Sequence, residues 1–363
     1  MPLTIVTDSL ASLPVDALVN VTGSTTAGRP AVSSALRAGG PALQEERERL
    51  GRIEAGDAVA GGPGALDVRT VIHTVGPLWN GGSCGELDTL KRCYSSCLAA
   101  AAKGGCISIG LPLIGARTYG FPRDRMLAAA TEAVEEFLAE SDMDIYLSIE
   151  DKSQFRLPRL LQGKLEAYIE EQAIAHGGSD LPARRRCPHC GHAVGSHSGI
   201  CDACGRELLP GRAAKQARCR PGADDAQPRS FPRHLRRRAR HASEGAGSAA
   251  GDGTFAEELS RLACEREISE TELYRRANID RKLLGRILSR EAYQPAKETV
   301  LALAFALQLP LDEALDFIGW AGYTLSHGHK GDIIVEYFIR QGQWNIYLVN
   351  EALFAFDQEQ LGR

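Results

Sequence analysis

The 363 residues carry 42 Lys and Arg against 46 Asp and Glu, a net charge of −4, and 44% of them are hydrophobic. This length and balance suit two or three domains with real cores and exclude a fibre. No stretch approaches membrane-spanning length, and the start, "MPLTIVTDSL", lacks a basic segment followed by a long apolar run, so a cytoplasmic protein is expected.

Up to residue 174, short apolar runs alternate with amphipathic ones. "LTIVT", "DALVNV", "RTVIHTV", "CISIGLPLIG" and "DIYLSIE" read as strands. Between them "SSALRAGGPALQEERERL", "ELDTLKRCYSSCLAAAA" and "PRDRMLAAATEAVEEFLAE" carry apolar residues at helical spacing, and "LPRLLQGKLEAYIEEQ" reads as a closing helix. Such alternation predicts a layered α/β domain over 1–174. From 175 to 253 the composition turns to Gly, Ser, Ala, Pro and Arg, which reads as a flexible basic linker. From 254 to 363 the chain is helical again, with Ser269 and Asp280 placed as N-caps. The late run "DIIVEYFIRQGQWNIYLVNEALFAF" is so apolar that it must bury against its own module or a partner.

Ten cysteines suit a reducing compartment, because four form two close pairs and the others are scattered. The pairs, in "CPHCGHAVGSHSGICDACG", are Cys187 with Cys190 and Cys201 with Cys204, each second Cys followed by Gly. Two such knuckles make a tetrahedral thiolate site, so a structural zinc ribbon is expected over 185–207. Its metal would supply its folding energy, since so small a segment has almost no core. Such a ribbon binds a macromolecule or only punctuates the linker. Cys93 and Cys97 lie four apart on one helix face and read as buried packing.

Ligands of α/β sheets sit beyond the carboxyl ends of strands, where loops run into helices. Two loops fit that placement: Val19 to Ser34, and Pro112 to Pro122. Together with their surroundings they resemble the macro domain, the ADP-ribose-binding module. The resemblance rests on "VDALVN" at Val15 to Asn20, "RAGGPAL" at Arg37 to Leu43, "VIHTVGPLWNGG" at Val71 to Gly82 and "LPLIGARTYGFP" at Leu111 to Pro122. It implies a three-layer fold with a mixed central sheet and ADP-ribose as ligand.

Carried over position by position, the resemblance places Asp8 at the adenine amino group and Asn20 at the first Asn of the family's ribose-binding loop. Gly23 stands where that loop has its second Asn, and Arg29, Pro30 and Ala31 replace most of a Gly run, leaving Gly28. Pro30 removes an N–H donor and fixes φ. The family's catalytic Asp falls on Ser33 or Val32, so Asn20 and Ser33 are the candidates left at the reacting end. A carboxylate base contributes about 100- to 10,000-fold, and serine cannot replace it at neutral pH. The second loop implies Ile114, Gly115, Ala116, Arg117, Thr118, Tyr119 and Gly120 as the phosphate cradle. Arg117 stands where Gly is common, and either blocks the site or clamps the pyrophosphate with charge-assisted bonds. His73 reads as a satisfied structural histidine within a strand.

The segment "ANIDRKLLGRILSREAYQPAKETVLALAFAL" resembles one that accompanies macro domains in a group of bacterial proteins, and is similar to the helix-turn-helix of lambda-repressor-like domains. Arg281, Lys282, Arg286 and Arg290 would line one face of its recognition-like helix. Against DNA, residues 255–363 hold 12 Lys and Arg and 17 Asp and Glu, a net charge of −5, which favours a protein partner. The expectation is an ADP-ribose-recognising domain with weak or lost hydrolase activity, joined to a zinc ribbon and a helical interaction module. An active ADP-ribosyl or O-acetyl-ADP-ribose hydrolase and a non-binding scaffold are the alternatives.

Overall fold

The computed structural model describes residues 2–22, 34–115, 120–175, 185–186, 193–194, 254–289 and 293–362. Six strands form one sheet: β1 (Leu3–Val6), β2 (Ala17–Val21), β3 (Ala58–Gly61), β4 (Thr70–Thr74), β5 (Ser108–Pro112) and β6 (Asp144–Ser148), in the spatial order β1-β6-β5-β2-β4-β3. All neighbours are parallel except β3, which runs antiparallel to β4, so the sheet is mixed as expected. The run that forms β3, "AVAG", ends on glycine and leaves Val59 37% exposed, and no apolar pattern announces it.

Successive residues Leu18 and Val19, like Val71 and Ile72, are all fully buried. Side chains alternate across a strand, so both faces of the sheet must be covered. The turn at 10–12, α1 (Ser34–Ala38) and α2 (Gly40–Arg49) cover one face, where Leu10, Leu13, Leu18 and Ala35 pack together. On the other, α3 (Glu86–Lys103) and α4 (Arg123–Glu140) bring Leu90, Cys93, Leu127 and Val134 onto Val19, Ile72, Ile109 and Ile145. The sequence pattern predicts one helix over α1 and α2, but it breaks at Gly39–Gly40. Pro41 has no N–H to bond back to Arg37. The closing helix is α5 (Arg159–Ala175).

Among the described residues seven helices follow: α6 (Phe255–Glu265), α7 (Glu270–Arg276), α8 (Arg281–Leu288), α9 (Lys297–Ala306), α10 (Leu311–Trp320), α11 (Lys330–Arg340) and α12 (Ile346–Ala355). Ser269 and Asp280 cap α7 and α8 as expected, accepting from the amides of Glu272 and Lys282. Met1–Ser179 and Thr254–Arg363 form one compact unit, and Asp180–Gly253 form a second. Within the second, the described residues make one short antiparallel ladder, Arg185–Arg186 against Ala193–Val194.

The apolar C-terminal run finds its cover in the same chain. α11 packs on α5, where Tyr168 and Tyr337 stand 5.4 Å apart and Tyr168 donates to Glu336 at 3.2 Å. α12 lies against β1, with Phe354 at 5.7 Å from Phe155, and Asn345 at its N-cap donates to Glu135 of α4. β1 is the edge strand, and its Leu3 and Ile5 main-chain groups point away from β6. Asn278, from the turn between α7 and α8, accepts from the Leu3 amide at 2.8 Å and donates to the Leu3 carbonyl at 3.0 Å. Gln360 does the same for Ile5, at 3.0 and 2.8 Å. Two buried carboxamides thus stand in for the missing neighbour strand of a sheet edge.

Candidate functional site

Five parallel strands put the loops after β1, β2, β4, β5 and β6 at one end of the sheet. β2 and β5 pair only at Ala17 with Ile109 and Leu18 with Gly110, although β2 runs on to Val21 and β5 to Pro112. The chain leaves β2 toward β4 and leaves β5 toward β6, so this parting is the point where the winding reverses. That is where open α/β sheets hold their ligands.

Asn20 lies beyond the last β2–β5 pair, fully buried, and donates from Nδ2 to Nδ1 of His73 at 3.0 Å. The imidazole therefore carries its proton on Nε2. Burial, with a smaller contribution from Arg47 and opposition from Glu46, lowers the His73 pKa to about 4. A ring so firmly neutral is no acid or base at physiological pH, which agrees with its structural reading. The satisfied part of that reading is corrected, because buried Nε2 has no hydrogen-bond partner among the described residues. Beside this pair, Arg47 of α2 donates to Thr22 Oγ1 at 3.3 Å and to the Gly51 carbonyl at 2.6 Å. This half-buried cation stands where the first loop begins, in a helix whose sequence marks it only as a polar position.

The second loop is pinned from inside the core. Tyr94 of α3, fully buried, donates to the Pro112 carbonyl at 3.3 Å and accepts from the Ile114 amide at 2.7 Å. Desolvation drives its phenol pKa upward, so it stays a neutral two-way link. Ile114 is 1% exposed and its N–H is engaged by Tyr94, so it shapes the loop rather than lining it. Gly115 and Gly120 flank 116–119 at φ 100 and 72, a region that other residues adopt only under strain. A Cβ on Gly115 would also come 3.1 Å from the Phe121 ring and 3.2 Å from the Met126 sulfur.

Asp8 follows β1 and is exposed, with its carbonyl accepting from Ser148 at 2.7 Å. Three strand spacings separate β1 from β2, about 14 Å across the sheet. Asp8, the loop after β5 and Asn20 therefore stand in a row along the carboxyl edge. Gly28, Val32, Ser33, Ala116, Arg117, Thr118, Tyr119 and Arg290 lie outside the described residues, as do Cys187, Cys190, Cys201 and Cys204. Among the described residues no group of His, Cys, Asp or Glu is placed to hold a metal. Cys93 and Cys97 are buried, and desolvation raises both thiol pKa values, as packing residues require.

In the helical segment, Leu283, Leu284 and Ile287 bury one side of α8, while Arg281, Lys282 and Arg286 are exposed on the other. The Arg286 guanidinium lies 5.4 Å over the Tyr293 ring. No helix among the described residues is long and apolar enough to cross a membrane.

A family model for the macro domain matches residues 19–130, and one described as a Cro/C1-type HTH DNA-binding domain matches 258–319. An O-acetyl-ADP-ribose deacetylase of Salmonella gallinarum is 34% identical over 162 residues, covering 43% of this chain and 90% of the relative. A macro domain-containing protein of Methanosarcina mazei is 37% identical over 135 residues, covering 37% and 72%. A solved structure of the Oceanobacillus iheyensis macrodomain with ADP is 26% identical, covers 47% of this chain and 92% of that one, and has a TM-score of 0.38.

Proposed function

This chain belongs to the macro-domain family, and from that premise we propose that it recognises ADP-ribose, free, on a protein or as the O-acetyl ester, with little hydrolysis. The observation that carries the reading is the row formed by Asp8, the glycines Gly115 and Gly120, and Asn20, which runs along the carboxyl edge from β1 to the reversal point between β5 and β2. About 14 Å suits an extended dinucleotide-like ligand. Asp8 takes the adenine amino group. The loop between Gly115 and Gly120 takes the pyrophosphate, with Arg117 as a guanidinium clamp. Asn20 and Gly28 are the residues assigned to the distal ribose by their places in the sequence.

The Salmonella gallinarum relative is named a deacetylase, which is the observation favouring an enzyme. Against it, neither Ser33 nor Val32 supplies a carboxylate to activate water, so turnover rests on a water held by the ligand's own phosphates. In this reading 1–174 is the ligand module, 175–253 the linker with zinc on Cys187, Cys190, Cys201 and Cys204, and 254–363 the interaction module of a cytoplasmic protein. The ladder of Arg185–Arg186 and Ala193–Val194 brackets the first cysteine pair, as a knuckle requires, and four thiols suit zinc. The exposed cations of α8 give the helical module a nucleic-acid or protein partner. Calorimetric titration with ADP-ribose, alongside an O-acetyl-ADP-ribose turnover assay, tests the reading: saturable binding without turnover above a Ser33→Ala control is expected.

A further inference from the structure

Glu86 opens α3 and is 4% exposed. Its Oε1 accepts from the amides of Asn80 at 3.0 Å and Gly82 at 3.1 Å, and its Oε2 from the amide of Cys84 at 2.7 Å. Its own backbone amide first, then those of Cys84, Asn80 and Gly82, hold the carboxyl below its usual range against the effect of burial. One carboxylate thus gathers the whole 80–84 loop. Burying a charge is expensive, and helix initiation alone would be served by an exposed Ser or Asp at the cap.

The gathered loop supports an aromatic pair. Trp79 lies over Gly82 so closely that a Cβ there would come 2.6 Å from the indole. The indole meets Phe121 at 5.0 Å between ring centroids, tilted by 53°. Phe121 in turn lies under Gly115, and a Cβ on Gly120 would be 3.9 Å from that of Trp79. Both glycines that flank 116–119 therefore rest on the pair that Glu86 holds in place. Tyr94 fixes the loop's inner end, and this contact chain fixes its outer end.

We propose that Glu86 is a positioning residue for Gly115 and Gly120, the glycines at the two ends of the loop after β5, acting through Trp79 and Phe121. The inference rests on the reading of that loop as the pyrophosphate cradle for its consequence in binding, but not for its geometry. Amide hydrogen exchange on the ligand-free full chain tests the geometry. Glu86→Ala is expected to speed exchange about tenfold or more in peptides over 80–84 and also over 113–121, with those over α11 unchanged. Glu86→Asp, which keeps a carboxylate, recovers part of the protection. A role confined to starting α3 would speed 80–90 and leave 113–121 untouched, and that result overturns the proposal. Trp79→Ala is the second variant: it leaves Glu86 and the 80–84 amides in place and is expected to expose 113–121 alone, whereas unchanged exchange there overturns the relay. ADP-ribose titration of the same variants is expected to show a tenfold or greater loss of affinity. Faster exchange at 113–121 in a protein whose wild type binds no ADP-ribose keeps the positioning role and overturns the cradle reading.

Discussion

Asn278 holds both main-chain polar groups of Leu3, at 2.8 and 3.0 Å, across 275 residues of sequence. Asn278 has φ 53, a left-handed conformation that Asn tolerates better than most residues, and it lies two positions before the Asp280 cap of α8. Removing the carboxamide leaves a buried N–H and C=O unpaired, which costs about 1–3 kcal/mol for each group. Asn278→Ala is therefore expected to lower stability by about 2–6 kcal/mol in urea denaturation and to speed amide exchange at Leu3. Gln360→Ala should do the same at Ile5. A loss below about 0.5 kcal/mol in both would show that water replaces the clasp.

Because the clasp and the α11 and α12 interfaces join the two segments into one unit, residues 1–179 alone should not behave as a complete domain. That fragment exposes the β1 edge together with the apolar surface that α12 covers, so it is expected to self-associate in sedimentation. A monodisperse fragment with full-length affinity for ADP-ribose would contradict this.

Two buried titratable groups pull stability in opposite directions with pH. Burial, with added repulsion from Glu132, pushes Glu351 from 4.5 up to about 7 against a lowering influence of Thr131. The unfolded chain ionises first, so stability falls as pH rises from about 4.5 to 7, by about 3 kcal/mol at most. His73 is lowered from 6.5 to about 4, so the unfolded chain takes up its proton first and stability falls as pH drops through that window. Glu351→Gln should accordingly raise Tm at pH 8 and change it little at pH 4.5. An equal shift at both pH values would remove the titration of Glu351 as the cause.

For Arg117, the clamp and the block make opposite predictions. A clamp contributes charge-assisted bonds of about 1.5–3 kcal/mol, so Arg117→Glu should weaken ADP-ribose binding by about ten- to a hundredfold. Tighter binding by Arg117→Gly would instead identify a steric block.

Much of the frame is legible because the sheet is buried on both faces: Leu18, Val19, Val71 and Ile72 form runs that only a doubly covered strand needs. Motif order is enough to find Asn20 and the second loop. What the sequence hides is long-range or carried by residue types with commoner uses. Tyr94 and Glu86 fit an amphipathic helix without remark, and only the fold turns one to the Ile114 amide and the other to the 80–84 loop. β3 has no apolar alternation, and Arg47 sits at an ordinary polar helix position until Thr22 is beside it. The partner of the apolar C-terminal run is equally invisible, since a buried helix face looks the same whether it meets its own chain or another.

Zinc analysis after exhaustive dialysis is expected to give one zinc per chain, and Cys201→Ser to lower it, because three thiolates hold the metal less well than four. Chelation should unfold the ribbon without lowering the Tm of the unit formed by 1–179 and 254–363. A full-length chain with no zinc and freely titrating thiols at all four positions would contradict the assignment.

The most direct measurement is a calorimetric titration of the full chain with ADP-ribose, with Asp8→Ala as its partner. Saturable binding at one site per chain, weakened tenfold or more in the variant, is the expected result. No binding by wild-type protein, or equal binding by Asp8→Ala, would contradict recognition of ADP-ribose along the carboxyl edge.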